Sequence, residues 1–245
     1  MLTHPTLEKI NELKLFGMAK AFSEQTEKKE YSKLCFEERL GFLIDQEKME
    51  RENKRLVTRL RMAKLKQTAC MEDIDYQHPR KLDKSLMLSL SSCGWIKDKL
   101  NILITGLTGV GKTYIACALG HRACMEGYRV LYFRTPRLFH DLAIAHGDGR
   151  YNKIMNAIAK SDVLIIDDWG LSVLTDQNRN DFLEILEDRH NMHSTIIAAQ
   201  LPVDHWHEVI GNATIADAIL DRLVHNAYKI NLKGGSMRKK KSKLR

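Results

Sequence analysis

The sequence lacks the features that mark secreted, membrane-spanning and zinc-binding proteins. Its five cysteines include no C-x-x-C pair and its ten histidines show no metal-ligand spacing, so neither a disulfide framework nor a zinc site is indicated. No basic and apolar leader begins the chain, and no apolar run approaches the roughly 20 residues that span a bilayer. We therefore expect a soluble, cytoplasmic protein in a reducing compartment, with no membrane partner.

Positive charge is in excess. Of the 245 residues, 29% are charged, and the formal net charge is +8 with a pI of about 9.2. A basic balance of this size favours a polyanionic partner, either nucleic acid or a membrane surface. The 44% hydrophobic content is sufficient for a buried core. The length fits one large domain, or an α/β domain with a smaller extension.

The composition and the spacing of apolar residues change along the chain. Residues 1–70 are rich in lysine, glutamate, arginine and leucine at helical spacing, which predicts a helical N-terminal domain whose last helix covers about 36–66. Residues 71–99 are a predicted connector that contains Pro79 and a turn-like Ser-Ser-Cys-Gly run. An α/β domain is predicted over 100–232, followed by a basic, disordered tail over 233–245.

From residue 100 onward, short apolar strands alternate with helices. The strands are predicted over 101–105, 129–133, 163–167, 195–200 and 227–232. The helices are predicted to begin near residues 113, 135, 151, 176, 204 and 214. This alternation predicts a five-stranded parallel sheet with helices on both faces. Thr135 is the predicted N-cap of one helix, with Pro136 at its first position.

A glycine-rich loop follows the first predicted strand. Residues 106–113 match G-x-x-x-x-G-K-[ST], the phosphate-binding loop of NTPases. Its glycines let backbone N–H groups approach the phosphates, and the helix N-terminus adds partial positive charge. Lys112 is expected to reach the β- and γ-phosphates, and Thr113 to ligate Mg²⁺. The predicted ATP-binding residues are Gly106, Leu107, Thr108, Gly109, Val110, Gly111, Lys112, Thr113 and Tyr114.

Two carboxylates, Asp167 and Asp168, end the strand predicted over 163–167. Its continuous apolar run is typical of a buried parallel strand, and ligands bind at the C-terminal ends of such strands. Asp167 is the predicted Mg²⁺ partner, acting through water, and Asp168 is placed to orient the attacking water. Glutamate is commoner at the second position, so the shorter aspartate predicts slow hydrolysis. The alternative is an ordinary acidic turn.

Gln200 ends a strand that comes later in the chain. In ATPases with an extra central strand, such a segment inserts between the phosphate-loop strand and the acidic strand. A polar residue at its end then faces the γ-phosphate, so Gln200 is a predicted catalytic sensor. The alternative is a polar strand end before the turn at Leu201 and Pro202.

A basic stretch lies near the end of the predicted N-terminal domain. Residues 51–66 carry one acid, Glu52, among seven lysines and arginines. At about 100° per residue, all of these but Lys64 fall within roughly 160° of a helix, opposite an apolar face. A free basic face matches a DNA phosphate backbone, and a solubilising charged face is the alternative. The predicted DNA-binding residues are Arg51, Lys54, Arg55, Arg59, Arg61 and Lys66.

These features together resemble a known family. The chain is similar to the IstB-like ATP-binding proteins, the ATPase helpers of insertion-sequence transposases and relatives of the DnaC helicase loaders within the AAA+ group. The likeness covers nearly the whole chain. It is carried by residues 53–65, 106–113, 167–170, 216–223 and 234–238.

The resemblance implies that ATP lies at the interfaces of a homo-oligomer. In such ATPases an arginine in the segment matching 216–223 contacts the γ-phosphate of the neighbouring subunit, which implies a catalytic role for Arg222. The alternative is a solvated arginine paired with Asp221 or Asp217. Only 13 residues follow the last predicted strand, too few for the helical lid of many AAA+ proteins, and Arg238 is a candidate to replace a lid arginine.

The implied function is that of an ATP-dependent helper that oligomerises on duplex DNA, hydrolyses ATP with Mg²⁺ and directs a partner transposase to target DNA. A DnaC-like loader of a replicative helicase is the main alternative, and a P-loop kinase for a small molecule is a third hypothesis. The adenine-binding residues are not predicted, because no residue near Trp95 or Ile96 is diagnostic.

Overall fold

The computed structural model describes residues 4–237 of the chain. The chain divides after Thr58 into two compact units. This division comes earlier than the predicted boundary at residue 70, because the next residues pack within the second unit. Ala63 and Ala69 are buried, and Arg59 Nε donates a hydrogen bond to the Cys124 carbonyl at 2.8 Å.

The N-terminal unit is helical, as predicted. It comprises α1 (Pro5–Glu12), α2 (Phe16–Glu27), a short 3-10 helix (Lys29–Lys33) and most of α3 (Phe36–Ala63). The backbone N–H groups of Gly17 and Met18 donate to the Glu47 carboxylate at 2.8 and 3.1 Å, which fixes the start of α2 against α3. The close approach needs a glycine, since a Cβ on Gly17 would lie 2.5 Å from the Gln46 carbonyl oxygen.

Helix α3 ends earlier than predicted. Its last residue is Ala63, and the next, Lys64, has a φ of +51° in the left-handed region. This conformation ends the helix, so Lys66 does not continue the helical face on which it was placed.

The predicted connector contains two short helices, α4 (Lys84–Ser91) and α5 (Gly94–Lys97). Asp83 caps α4 by accepting from the N–H groups of Ser85 and Leu86. The turn-like Ser-Ser-Cys-Gly run lies at the junction of the two helices. Residues 71–99 are therefore partly helical.

The second unit is built on one parallel sheet. Its strands are β1 (Asn101–Gly106), β2 (Val130–Arg134), β3 (Val163–Trp169), β4 (Ser194–Ala199) and β5 (Ala227–Leu232). All pair in parallel, in the order β2-β3-β4-β1-β5. The later strand β4 thus lies between the phosphate-loop strand and the acidic strand, which confirms the predicted extra central strand.

Helices connect the strands near the predicted positions. They are α6 (Lys112–Met125), α7 (Thr135–Asp148), α8 (Tyr151–Ala159), α9 (Asp176–Arg189), α10 (Trp206–Ile210) and α11 (Ala213–Val224). One predicted cap is wrong, because Arg134 is the N-cap of α7 and its side chain makes no capping bond. The Thr135 hydroxyl instead donates to the Asp167 carbonyl at 3.0 Å and joins α7 to β3.

The core fixes the end of β3. Trp169 is fully buried, stacked on Phe182 at 4.4 Å and edge-on to Trp206 at 5.9 Å. Such aromatic pairs contribute about 0.5–1.5 kcal/mol beyond their area burial. Trp169 therefore anchors the strand end that carries the two adjacent carboxylates.

Within residues 4–237, no helix combines the length and apolar character needed to cross a membrane.

Candidate nucleotide-binding site

The phosphate-binding loop joins β1 to α6 at the C-terminal edge of the sheet. Gly106 and Gly111 have φ of +145° and +98°, in the region that favours glycine. A Cβ on Gly106 would also lie 2.3 Å from the Leu232 carbonyl oxygen. The turn between strand and helix therefore depends on these two glycines.

Lys112 is the first residue of α6 and bends back over the loop. Its Nζ donates to the carbonyl oxygens of Gly106 and Leu107 at 2.7 and 2.9 Å. A cation held above a loop of backbone amides, at a helix N-terminus, is a setting that attracts phosphate.

Asp167 lies next to this loop and is 1% exposed. Its Oδ2 accepts from the Thr113 hydroxyl at 2.8 Å and from the Tyr132 hydroxyl at 2.7 Å, and its Oδ1 accepts from the Asp168 N–H at 2.9 Å. Burial and the hydrogen bond to Asp167 raise the pKa of Tyr132. Tyr132 therefore remains a donor at neutral pH. It was not predicted from the sequence, because a tyrosine within a strand has no distinctive spacing.

The oxygens of Thr113 and Asp167 suit Mg²⁺. This ion takes hard oxygen ligands and is usually held by one or two protein groups together with phosphate oxygens and water. No group of three or more histidine, cysteine, aspartate or glutamate side chains in the described part of the chain could hold a metal. A nucleotide-bound Mg²⁺ needs no such cluster, so the residues present fit it.

Asp168 is set apart from the regular strand. Its φ is +59°, and the pairing of β3 with β4 shifts between Ile166 and Trp169. This irregularity turns the carboxylate towards the cavity beside the loop. The Arg134 Nε donates to its Oδ2 at 2.7 Å. Asp168 thus lies in the cavity with one oxygen held by a cation.

Gln200 follows β4 and reaches the phosphate-binding loop. The Thr108 hydroxyl donates to Gln200 Oε1 at 2.9 Å. The insertion of β4 beside β1 explains this contact between residues 92 positions apart. The structure therefore brings Gln200 to the loop, beside Lys112 and Asp168 in one cavity.

This cavity has a volume of about 540 Å³. Its walls include predicted residues of the loop and residues of the preceding segment that were not predicted. They are Gln67, Asp73, Asp75, Arg80, Thr108, Gly109, Gly111, Lys112, Thr113, Tyr114, Asp168, Gln200 and Met237. The side chains of Leu107 and Val110 do not line it, since Leu107 is exposed to solvent and Val110 is buried. Their predicted part in ATP binding is therefore left to their backbone groups.

Arg80 joins three segments around the cavity and is 1% exposed. It donates to the Asp75 carbonyl at 2.8 Å and to the Val110 carbonyl at 3.1 Å, and its Nη1 lies 3.1 Å from the Met237 sulfur. Burial lowers the pKa of Arg80. Its backbone carbonyl accepts from the Lys233 N–H at 2.9 Å. Arg80 thus ties the segment before α4, the phosphate-binding loop and the segment after β5 together.

The glycines after β5 explain one family-specific run. Gly234 has a φ of +95°, and a Cβ there would lie 2.4 Å from the Pro79 carbonyl oxygen. Two residues beyond Gly235, the Met237 N–H donates to the Gly109 carbonyl at 2.9 Å. Residues 234–237 therefore form part of the cavity wall. The sequence marked this run as family-specific but did not predict that it lies at the cavity.

Trp95 and Ile96 lie elsewhere. Both are buried, and the Trp95 indole donates to the Leu90 carbonyl at 3.0 Å. These residues belong to the packing around α4 and α5 and do not line the cavity.

Comparison with known proteins agrees with this geometry. Residues 8–245 match the family described as IstB-like ATP binding protein. The chain belongs to this family. It is 52% identical over 239 residues to a putative insertion sequence ATP-binding protein of Sinorhizobium fredii, with 98% of each chain covered. It is 30% identical over 220 residues to the putative ATP-binding protein of insertion sequence IS21 from Pseudomonas aeruginosa, covering 90% of this chain and 82% of that one.

Solved structures support the AAA+ fold. The DnaC helicase loader superposes with a TM-score of 0.53 at 22% identity, covering 66% of this chain and 96% of that one. AMPPCP-bound DnaA from Aquifex aeolicus superposes with a TM-score of 0.56 at 18% identity, covering 68% of this chain and 51% of that one. The chain spans about half the length of that DnaA chain. At these identities the likeness concerns the fold alone.

Arg222, to which the family likeness gave a catalytic role, lies far from the cavity of its own chain. The Asn101 side chain, at the start of β1, donates to the Arg222 carbonyl at 3.2 Å. A six-residue strand spans about 20 Å, so Arg222 lies towards the opposite edge of the sheet from the phosphate-binding loop. Its guanidinium donates to Glu187 at 3.0 Å and to the Ala218 carbonyl at 2.8 Å, rather than to Asp217 or Asp221.

The predicted basic residues of the N-terminal unit differ in their partners. Arg51 forms an ion pair with Glu47 at 2.7 Å, and Lys54 pairs with Glu50 at 3.1 Å. Arg55 is exposed. Within this unit, Arg55 is therefore the predicted DNA contact with the simplest access to phosphate.

The predicted basic residues of the second unit differ in the same way. Arg61 is exposed, while Arg59 donates to the Cys124 carbonyl. Lys66 faces Asp167 and Asp168, at 3.7 and 3.9 Å. Its placement on a free basic face is wrong, because α3 ends before it. The apolar face of α3, opposite the basic residues, is only partly buried, since Ala63 is buried but Val57 is 65% exposed.

The predictions for Arg238 and for the rest of the basic tail, residues 239–245, lie outside the described residues.

Proposed function

We propose that this protein is an ATP-dependent transposition helper. It oligomerises on duplex DNA, hydrolyses ATP and directs a partner transposase of the same element to target DNA. The observation that carries the proposal is the convergence of Lys112, Asp168 and Gln200 on one cavity, with Asp167 bonded to Thr113 in its wall, in a chain of the IstB-like family. A cytoplasmic location is consistent with this role.

The predicted catalytic residues have distinct parts in the proposed hydrolysis. The loop amides and Lys112 hold the phosphates, which reduces the repulsion that an attacking water meets. Asp168 orients that water, and Gln200 contacts the γ-phosphate through its amide. Arg134 keeps one oxygen of Asp168 engaged, leaving the other to accept from water. The short aspartate and its ion pair support slow hydrolysis.

Thr113 and Asp167 would hold the magnesium ion of the nucleotide. The ion would supply charge neutralisation for the phosphates. Tyr132 and the Asp168 N–H orient the Asp167 carboxylate, which supports the predicted role of Asp167 through water.

Arg222 is proposed to act on the nucleotide of a neighbouring subunit. Its distance from the cavity of its own chain means that it can act only on a nucleotide held by a neighbour. Arginine suits this task because it stays charged and forks onto phosphate oxygens. Its bonds to Glu187 and Ala218 hold the guanidinium at the surface, where it is 26% exposed. ATP would then complete the subunit interface.

DNA contact is proposed for the basic residues of α3. Arg55 and Arg61 contribute most, since Arg51 and Lys54 pair with glutamates and Arg59 is bonded to backbone. Arginines of this kind bind phosphate without reading bases. The proposed binding is therefore independent of sequence and sensitive to salt.

The proposal is tested by measuring ATP hydrolysis with and without duplex DNA, followed by capture of partner proteins. DNA-stimulated release of phosphate and capture of the transposase of the same element are expected. Capture of a replicative helicase instead would favour the loader alternative. Phosphate transferred to an acceptor other than water would favour a kinase.

A further inference from the structure

Lys66 places a positive charge beside the buried carboxylate at the nucleotide site. Its Nζ lies 3.7 Å from Asp167 Oδ2 and 3.9 Å from Asp168 Oδ2, and its side chain is 38% exposed. The same Oδ2 of Asp167 accepts from Thr113 and Tyr132. Lys66 thus faces the carboxylate oxygen of Asp167 that lies beside Thr113, the other proposed magnesium ligand.

The backbone that carries Lys66 is held against α6. A Cβ on Gly120 would lie 3.1 Å from the Leu65 side chain, so Leu65 packs closely at that glycine. Burial raises the pKa of the Cys117 thiol, while hydrogen bonds from the backbone of Gln67 and Lys66 act in the opposite direction. These contacts tether the ammonium group near the carboxylates and raise its effective concentration there.

Lys66 and Arg134 lie nearest to different carboxylates at the site. Arg134 already donates to Asp168 Oδ2 at 2.7 Å, whereas the cation nearest to Asp167 Oδ2 among the ion pairs of the described residues is Lys66. A divalent ion held by Thr113 and Asp167 would share this carboxylate with the ammonium group of Lys66. Two cations in a partly buried setting repel each other strongly.

We propose that Lys66 is a tethered cation that competes with the magnesium ion of the nucleotide for the Asp167 carboxylate. This inference rests on the proposed role of Thr113 and Asp167 in holding Mg²⁺. Binding of magnesium and nucleotide displaces the Lys66 side chain, and the displacement opposes binding. Lys66 therefore sets the magnesium concentration at which the protein holds ATP.

A magnesium titration tests the competition directly. Binding of a fluorescent, non-hydrolysable ATP analogue to the full-length protein is followed while Mg²⁺ is raised. Lys66→Met and Lys66→Gln remove the charge and should lower the half-saturating Mg²⁺ concentration by about fivefold or more, the lower end of typical site–site coupling. Lys66→Arg keeps the charge and should match the wild type.

The matched control is Lys153→Met, which removes an exposed lysine from α8. It should leave the magnesium requirement unchanged. Circular dichroism of each variant shows whether it is folded, and agreement between the two neutral variants separates the charge effect from loss of packing.

The outcomes separate this inference from the proposed function. Analogue binding that ignores Mg²⁺ in the wild type would overturn the magnesium site itself, and the inference with it. Magnesium-dependent binding with the same half-saturating concentration in Lys66→Met would overturn the inference alone. Weaker analogue binding in both neutral variants would also overturn it, and would identify Lys66 as a phosphate contact.

Discussion

The guanidinium of Arg134 donates a hydrogen bond to Asp168 at 2.7 Å. Arg134 ends β2 and Asp168 lies near the end of β3, and the two strands are neighbours in the sheet. The strand ends thus hold in place the carboxylate proposed to orient the attacking water.

Replacing this carboxylate should separate binding from hydrolysis. Asp168→Asn keeps the size of the side chain but removes its charge, so ATP hydrolysis should fall by about 100-fold or more. Binding of an ATP analogue should change by less than about threefold, because the loop and Lys112 remain. Steady-state phosphate release and equilibrium binding measure the two effects.

Asp141→Asn is the control for Asp168→Asn, since Asp141 pairs with Arg137 within α7. It should hydrolyse ATP like the wild type. Full hydrolysis by Asp168→Asn would remove this residue from the chemistry.

Tyr132→Phe should lower stability in a pH-dependent way. Loss of the hydroxyl leaves Asp167 without one donor, at a cost of about 1–3 kcal/mol in the free energy of unfolding at neutral pH. The pKa of Tyr132 is raised in the folded protein, so its contribution is present below the unfolded value of about 10 and is lost as pH rises further. In thermal melts of both proteins from about pH 7 to about pH 11, the difference in stability should begin to narrow above about pH 10. A constant difference in stability across that range would contradict the assignment.

Arg222→Ala should abolish hydrolysis by acting on the neighbouring subunit. An arginine that contacts the transferred phosphoryl group is worth about 10³-fold or more in the hydrolysis rate of P-loop GTPases, and a loss of similar size is expected here. Mixing Arg222→Ala with Lys112→Ala should restore part of the activity, because some interfaces then combine an intact loop with an intact arginine. Phosphate release by the mixture is compared with that of each variant alone.

The control is Arg129→Ala. Arg129 lies just before β2 and faces Asp162. It should retain activity. If the mixture of Arg222→Ala and Lys112→Ala stays inactive while the oligomer forms, Arg222 does not act between subunits.

DNA binding should weaken with salt in proportion to the phosphates that are neutralised. Each phosphate contact contributes about −0.9 to the log–log slope. Arg55→Ala and Arg61→Ala should each reduce the magnitude of this slope by roughly one contact. Lys66→Ala should leave it unchanged, since Lys66 faces Asp167. Fluorescence anisotropy with labelled duplex DNA measures the slope, and no loss of slope in the arginine variants would exclude the basic face.

Much of the sheet and of the phosphate site could be predicted because the information is local. The loop at 106–113 carries its own glycines, lysine and threonine, and the apolar run at 163–167 ends in carboxylates. The insertion of one strand predicted that Gln200 lies near the loop, and the structure places it against Thr108. The roles of these residues in catalysis stay predictions.

The remaining cavity wall could not be predicted because its contacts are long-range. Arg80 meets Met237 across 157 positions, and nothing in the spacing of either segment indicates the other. Lys66 was placed on a helix because lysine and arginine continue at helical spacing. Helix α3 ends because Lys64 adopts a left-handed conformation, which the sequence usually reveals only when the residue is glycine.

In the proposed function, ATP bound at Lys112 controls assembly on DNA. The most direct measurement is electron microscopy of the wild type and Lys112→Ala with duplex DNA, with and without a non-hydrolysable ATP analogue. The wild type should form oligomers on DNA only when the analogue is present, and Lys112→Ala should form none. Equal assembly by the two proteins in the presence of the analogue would contradict the claim.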